Sequence, residues 1–255
     1  MFDVVFISFD EPNADENWIK LRERVPYAMR IHGIKGIANA HIEAAKQVTT
    51  THFFCVDADN IVDDSFEFNY ESIINFQRTD SRVHVWGCRN PVNGLNYGYG
   101  GVKLFPTEPV KLIEEYSVDF CTSVAEKAEG FMFHNDAVST TYFNTSPYNA
   151  WKSGYRECTK LARSLIINPN DKETKERLKI WISKGLEAEY GKYVITGARM
   201  GALMGATHTD KQINVINNFE WCKEKFTNEI EHKDHLPIWL DVDSELRKCM
   251  PTIMT

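Results

Sequence analysis

The run His52-Phe53-Phe54-Cys55-Val56, cut off by Asp57-Ala58-Asp59, constrains this chain most. Five aromatic, apolar or β-branched residues without polar alternation read as a strand buried on both faces. It is the third strand in an alternating series. Residues 3–9 (DVVFISF) form the first and end at Asp10-Glu11-Pro12. Asn13 can cap the following helix, with Glu16 three positions on in a capping-box arrangement. Trp18, Leu21 and Val25 give that helix its stripe, and Pro26 stops it. A short strand over residues 27–32 follows, and Gly33 and Gly36 then bracket Lys35 before a second helix. Ile37, Ala40, Ala44, Ala45 and Val48 share one face of it. Strand–helix–strand–helix–strand before residue 60 predicts a mostly parallel sheet flanked by helices, the Rossmann-like α/β class. Ligands of such sheets bind beyond the carboxyl ends of the strands. Asp10, Glu11, Lys35, Asp57 and Asp59 lie at those ends, and Asn39 sits on the first turn of the second helix.

Successive residues of an extended chain point to opposite faces, so Asp57 and Asp59 can point the same way. Two carboxylates so placed repel each other unless a cation lies between them, and oxygen ligands suit a hard ion such as Mn²⁺ or Mg²⁺. A solvated loop with a helix cap is the alternative, because Asp63 and Asp64 follow closely. An EF-hand loop starting at Asp57 fails: its fifth, sixth and twelfth positions hold Ile61, Val62 and Phe68. A phosphatase with an aspartyl nucleophile would carry Thr or Val where Ile61 stands. What remains is a nucleotide-sugar transferase of GT-A type, whose cation holds the donor diphosphate and stabilises charge on the leaving group. Asp10 or Glu11 would then face the nucleoside, and Lys35 the base or phosphates. His208 is the candidate third ligand of the cation, on its chemistry alone.

Residues 82–88 (RVHVWGC) alternate as a strand and lead into residues 89–101, with four glycines, three asparagines and two tyrosines. That composition reads as a loop able to approach a sugar or acceptor closely. A strand over residues 102–106 closes it. Ser146-Pro147 starts the best helix in the chain, an N-cap followed by proline at the first helical position. Tyr148, Trp151, Tyr155, Cys158, Ala162 and Leu165 form its inner stripe, and Lys152, Arg156 and Lys160 a separate basic one. Glu157 could serve an acceptor hydroxyl or form an ion pair. A helix over residues 172–184 ends at Gly185. Another, over residues 190–204, carries Gly197, Gly201 and Gly205 at four-residue spacing, which signals close approach of a neighbouring helix. No repeat or linker interrupts the chain. The expectation is one domain over residues 1–255, with a donor-binding half to residue 106 and a helical acceptor half from residue 107.

Charge and cysteine limit the partners. With 29 Lys+Arg against 36 Asp+Glu, the net charge of −7 argues against tight, non-specific duplex binding. No stretch approaches the roughly 18–20 apolar residues of a membrane span, so no membrane partner is expected. The six cysteines are spread out without CxxC spacing, which predicts free thiols in a reducing cytoplasm and argues against a zinc site of thiolates. His232 and His235 lie in a charged stretch and read as a solvated face.

Several long stretches carry a resemblance: GIANAHIEAAK leading to FFCVDADNIVDDSFEF, HVWGCRNPVNGLNYGYGGVKLFP, FNTSPYNAWKSGYRECTKLA and YGKYVITGARMGALMG. Together they resemble glycosyltransferase-like proteins of tailed bacteriophages, over about residues 30 to 225. The resemblance implies a GT-A enzyme that modifies 5-hydroxymethylated pyrimidines of DNA with sugar. It makes Asp57 and Asp59 the cation motif, and Arg89, Asn90, Tyr97, Tyr99, Lys103, Trp151, Arg156 and Glu157 cleft residues. Arg89 would join the donor side and Lys152 the acceptor side. Glu157 and Asp119 both stand as candidates for the general base. A polysaccharide, lipid or protein acceptor, or a non-catalytic sugar- or nucleotide-binding module, are the alternative readings.

Overall fold

β1 (Asp3–Ser8), β2 (Met29–His32) and β3 (His52–Asp57) are parallel strands joined by α1 (Ala14–Arg24) and α2 (Ile37–Gln47), as the alternation predicts. This computed structural model describes residues 1–69, 81–98, 100–116 and 119–254. β4 (Asn60–Val62), β5 (Val83–Arg89), β6 (Asn96–Tyr97), β7 (Val102–Pro106) and β8 (Phe131–Thr141) complete an eight-stranded sheet ordered β2-β1-β3-β7-β5-β8-β4, with β6 on β5. The sheet is mixed. β7 runs antiparallel to both β3 and β5, whereas β5 and β8 are parallel. The parallel expectation holds where the sequence alternates strand with helix and gives way where β7 returns directly beside β3.

Both faces of the sheet are covered, which is why β3 reads as one unbroken hydrophobic run. Val4, Phe6, Phe54, Val56, Trp86 and Leu104 pack on one side with Leu21 and Val25. Val5, Phe53, Cys55, Val85 and Phe105 pack on the other with Ala44 and Ala45 of α2. The short α3 (Thr107–Lys111) and α4 (Phe120–Lys127) add Val110, Phe120 and Val124 to that second side. These two helices and β8 occupy a stretch for which the sequence pattern indicated no element. Much of β8 is exposed or half-exposed, so no alternation marks it.

Two local expectations are corrected. Asn13 precedes α1 but makes no side-chain cap; its amide donates to the Tyr142 carbonyl at 3.4 Å. In α2, Ile37 is 36% exposed and His41 is turned inward at 3%.

The chain folds as two compact units, residues 1–90 with 96–142, and residues 91–95 with 143–255. The first unit thus runs past residue 106 to include β8. The second is helical: α5 (Pro147–Ile167), α6 (Lys172–Ser183), α7 (Gly191–Thr207), α8 (Asp210–Ile213), α9 (Phe219–Glu229) and α10 (His235–Cys249). Ser146 caps α5 as expected, accepting from the Asn149 amide at 3.1 Å. Gly197, Gly201 and Gly205 of α7 lie against backbone atoms of α5, the close helix approach that their spacing predicts. His235 departs from the expected solvated face. It opens α10 nearly buried, with its Nδ1 2.7 Å from the Thr196 hydroxyl. All six cysteines are free thiols. Among the described residues, no helix is long and apolar enough to cross a membrane.

Asp3 ties β1 to the entry of β3, because its Oδ2 accepts from the amides and hydroxyls of Thr49 and Thr50. Burial pushes this carboxyl up, but the four hydrogen bonds outweigh it and hold the pKa below the usual range. A depressed folded-state pKa contributes stability that is present above the unfolded value and lost as pH falls through the folded one. Asp3→Asn should therefore lower stability by about 1–2 kcal/mol at neutral pH. It should also flatten the acid limb below about pH 4. Urea unfolding at pH 7 and pH 3 measures both.

Candidate functional site

The register of the parallel strands builds the site. Ile7 is level with Ile31 and Asp57, and Ser8 with His32. The carboxyl ends of β1, β2 and β3 therefore align, and residues 9–13, 33–36 and 58–59 leave the sheet at one edge. Around the end of β1, Arg30 donates to the Ser8 hydroxyl at 2.9 Å and pairs with Asp15 at 2.7 Å. Asp10, Lys35 and Asn39 are exposed on these loops and on the start of α2. Glu11 folds back to accept from the Phe9 amide at 2.8 Å, and the Asn39 amide donates to the Lys35 carbonyl at 3.0 Å.

Asp57 is the last residue of β3, and Asp59 lies in the turn to β4. The strand has ended before Asp59, so pleat alternation does not set the direction of the Asp59 side chain. Hydrogen bonds hold the backbone of the turn that carries it. The Asn17 amide donates to the Ala58 carbonyl at 2.8 Å, and the Tyr142 amide to the Asp59 carbonyl at 2.7 Å. Asn60 donates to Asp59 Oδ1 at 3.2 Å, and its own Oδ1 accepts from Thr141 at 2.9 Å. Gly101 closes the back of this turn at φ +82°, where a Cβ would stand 2.5 Å from the Ser139 hydroxyl. A larger residue there would clash as well as strain the backbone.

Lys103 projects from β7 opposite Cys55 and places its ammonium 3.3 Å from Asp57 Oδ2. Its side chain is 9% exposed, against 33% for Asp57. Burial alone would lower the Lys103 pKa, but the Asp57 carboxylate reverses this and holds it above the ordinary value. Lys103 is thus the internal counter-charge of Asp57 rather than an open acceptor contact. Arg89 is similarly engaged, donating to the Ala137 carbonyl at 2.9 Å and the Thr140 hydroxyl at 3.2 Å and pairing with Asp63. Asn90 and Tyr97 are 2% and 9% exposed, so the expected open sugar loop is packed at both residues. Tyr99 lies outside the described residues. Asp119 is the N-cap of α4, accepting from the Thr122 amide at 3.1 Å.

Behind the acid turn lies a group that the sequence reading missed. Ligand atoms of His41, Cys55 and Asp57 lie within 4.8 Å of one another. His41 Nδ1 is 2.8 Å from the Ile37 carbonyl, which can only accept, so the ring proton sits on Nδ1 and Nε2 presents its lone pair. That Nε2 is 3.6 Å from Cys55 Sγ. Phe105 meets the ring edge-on and Phe120 tilts against it, at 5.3 and 4.6 Å between centroids. Burial pushes the His41 pKa down and the Cys55 thiol up, so both are uncharged at neutral pH. Cys55 and Asp57, two apart on a strand, were a legible signal; a histidine beside an alanine stripe was not.

In the second unit, Trp151 is wholly buried and stacks on Tyr155 at 4.8 Å, so it offers an acceptor no surface. Arg156 donates to the Ile216 carbonyl at 3.0 Å and the Asn217 side chain at 3.1 Å, its guanidinium 5.0 Å over the Phe219 ring. Lys152 stands 4.7 Å from that ring and 5.0 Å from Tyr148. Glu157 is nearly buried and pairs with Lys160 at 3.1 Å. His208 ends α7 exposed, with Nδ1 2.9 Å from the Thr207 hydroxyl. Among the described residues, neither Asp59 nor His208 belongs to a group of three converging metal-ligand side chains.

The sequence matches no family model, and no curated protein matches it. One similar solved structure is a glycosyltransferase involved in the glycosylation of the major capsid of PBCV-1. It is 14% identical, with a TM-score of 0.37 over 61% of this chain and 98% of that one. A likeness this distant fixes neither the family nor the substrate of this chain.

Proposed function

We propose that the protein transfers a sugar from a nucleoside-diphosphate sugar to the hydroxyl of a 5-hydroxymethylated base in DNA, with Mn²⁺ or Mg²⁺ held at Asp57 and Asp59. The observation that carries this reading is the alignment of three parallel strand ends beside a fixed acidic turn. A crevice beyond such ends is where α/β sheets hold ligands. The two carboxylates would offer a hard cation oxygen ligands, Asp57 from the end of β3 and Asp59 from a turn whose backbone is tied down. Lys103 already offsets Asp57, so the charge left for a cation to neutralise is chiefly that of Asp59. When bound, the ion would stabilise the negative charge that builds on the departing nucleoside diphosphate. Asp10 or Glu11 accepts hydrogen bonds from hydroxyls of the nucleoside, and Lys35 and Asn39 supply donors to base or phosphate. Lys152 and Arg156, seated over aromatic rings, give the helical unit a cationic face suited to phosphates. Neither Asp119, a helix cap, nor Glu157, paired with Lys160, is carried forward as the base.

The DNA acceptor follows from the family resemblance of the sequence. The net charge of −7 favours the second reading, a polysaccharide, lipid or protein acceptor. Incubation with Mn²⁺, a panel of sugar nucleotides and hydroxymethylated DNA separates them, with digested nucleosides analysed by mass spectrometry. A nucleoside heavier by one sugar supports the DNA reading. Nucleoside diphosphate released without that mass shift assigns another acceptor. Donor binding without release identifies a non-catalytic module.

A further inference from the structure

We propose that His41, Cys55 and Asp57 form a metal site distinct in chemistry from the acidic turn, taking Zn²⁺ or a similar borderline ion such as Co²⁺. It does not depend on the transfer reading, although it shares Asp57 with it. Three features of the geometry point to it. The first is the His41 tautomer. Metal-binding histidines commonly give their other ring N–H to a backbone carbonyl, which fixes the ring and aims the lone pair. His41 does this through Nδ1 and Ile37, and Phe105 and Phe120 hold the ring plane.

The second is spacing. Zinc bonds of about 2.3 Å to sulfur and 2.0–2.1 Å to nitrogen, at a tetrahedral angle, put the two ligand atoms about 3.6 Å apart. His41 Nε2 and Cys55 Sγ are separated by 3.6 Å. Asp57, two residues beyond Cys55 on β3, brings an oxygen to the same side within 4.8 Å of both. The third is access. His41 and Cys55 are buried, but the Asp57 side chain is 33% exposed and opens the site to solvent for entry and for a fourth, water ligand. A nitrogen, sulfur and oxygen donor set selects zinc-like ions, whereas the oxygen-only turn selects Mg²⁺ or Mn²⁺.

On binding, the Cys55 S–H bond breaks, the sulfur lone pair forms the metal–sulfur bond, and the proton passes to water. His41 keeps its Nδ1 proton. Lys103 opposes the ion, since its ammonium holds Asp57 Oδ2 at 3.3 Å. Removing the Lys103 charge should therefore tighten binding.

Co²⁺ titration of the metal-free full chain tests this. A thiolate-to-cobalt charge-transfer band that saturates at about one ion per chain, and that Zn²⁺ discharges, is the expected result. Cys55→Ala and His41→Asn, each checked for native circular dichroism, should abolish the band, and a substitution at the half-buried Cys121 of α4, which is outside the three-residue group, Cys121→Ala, should keep it. Lys103→Met should tighten binding roughly tenfold or more. Asp59→Ala, which the transfer reading expects to be inactive, should keep the band, so the two readings fail separately. No band in wild type at millimolar cobalt, or a band that survives in Cys55→Ala, overturns the proposal and leaves His41 and Cys55 a thiol–imidazole hydrogen bond.

Discussion

Asp59→Ala is expected to lower cation-dependent release of nucleoside diphosphate by about 100-fold or more while leaving the fold intact. Removing a single preorganised group that stabilises charge in a transition state already costs about 10²–10³ in rate, and a cation ligand carries at least that much. The variant should fold because the turn is held through backbone atoms. Asn17 bonds the Ala58 carbonyl and Tyr142 the Asp59 carbonyl, and neither bond needs the carboxylate. The structural loss includes the hydrogen bond from Asn60, worth about 1 kcal/mol. Asp57→Ala is the poorer probe. It strips the carboxylate from Lys103, whose side chain is 9% exposed, and leaves that charge unpaired. Its loss of activity would mix catalysis with stability. Initial rates with saturating donor, alongside thermal unfolding, separate the two. An Asp59→Ala enzyme with wild-type rates would remove Asp59 from the chemistry.

Gly201→Ala carries the largest expected effect on stability. A Cβ at Gly201 would stand 2.1 Å from the Tyr155 carbonyl oxygen and 2.9 Å from Tyr155 Cα, both backbone atoms of α5. No rotamer change relieves such a clash, so the helices must part. Alanine gains about 1 kcal/mol in helix propensity. Overpacking costs typically 1–3 kcal/mol and more when only backbone can yield, and here the close approach repeats. A Cβ at Gly197 would likewise stand 2.1 Å from the Trp151 carbonyl oxygen and one at Gly205 2.2 Å from that of Thr159, so parting the helices at one glycine disturbs all three. With only backbone able to yield, the steric cost is put above that typical range at about 3–5 kcal/mol, and a net loss of about 2–4 kcal/mol is expected. That corresponds to a fall in Tm of roughly 5–15 °C. An unchanged Tm would mean that α5 and α7 do not cross at these glycines.

These glycines show how much of the fold the sequence makes legible. Period and spacing are local, so the buried run of β3, the Ser146 cap and the small-residue seam of α7 could all be read before any tertiary packing was known. Strand order is not local. Nothing in residues 102–106 says that they return antiparallel beside β3, and the half-exposed β8 lacks the alternation that would reveal it. The site divides along the same line. Asp57 stood out because a hydrophobic strand ends on it. Lys103 and His41 reach it through the sheet register and the rotation of α2, which no spacing along the chain encodes. Trp151, a cleft residue by the resemblance, is wholly buried, as its place on the inner stripe of its helix predicts. Arg89, which the resemblance places on the donor side, holds β8 and Asp63 instead.

The central claim is that a hard divalent cation at the acidic turn drives departure of a nucleoside diphosphate. The most direct measurement is the rate of nucleoside diphosphate release by chelator-treated protein as Mn²⁺ is added back, with a sugar nucleotide and hydroxymethylated DNA present. The expected result is a baseline rate in chelator and a saturable rise with Mn²⁺ in wild type, with no rise in Asp59→Ala. An equal rate with chelator and with Mn²⁺ would contradict it.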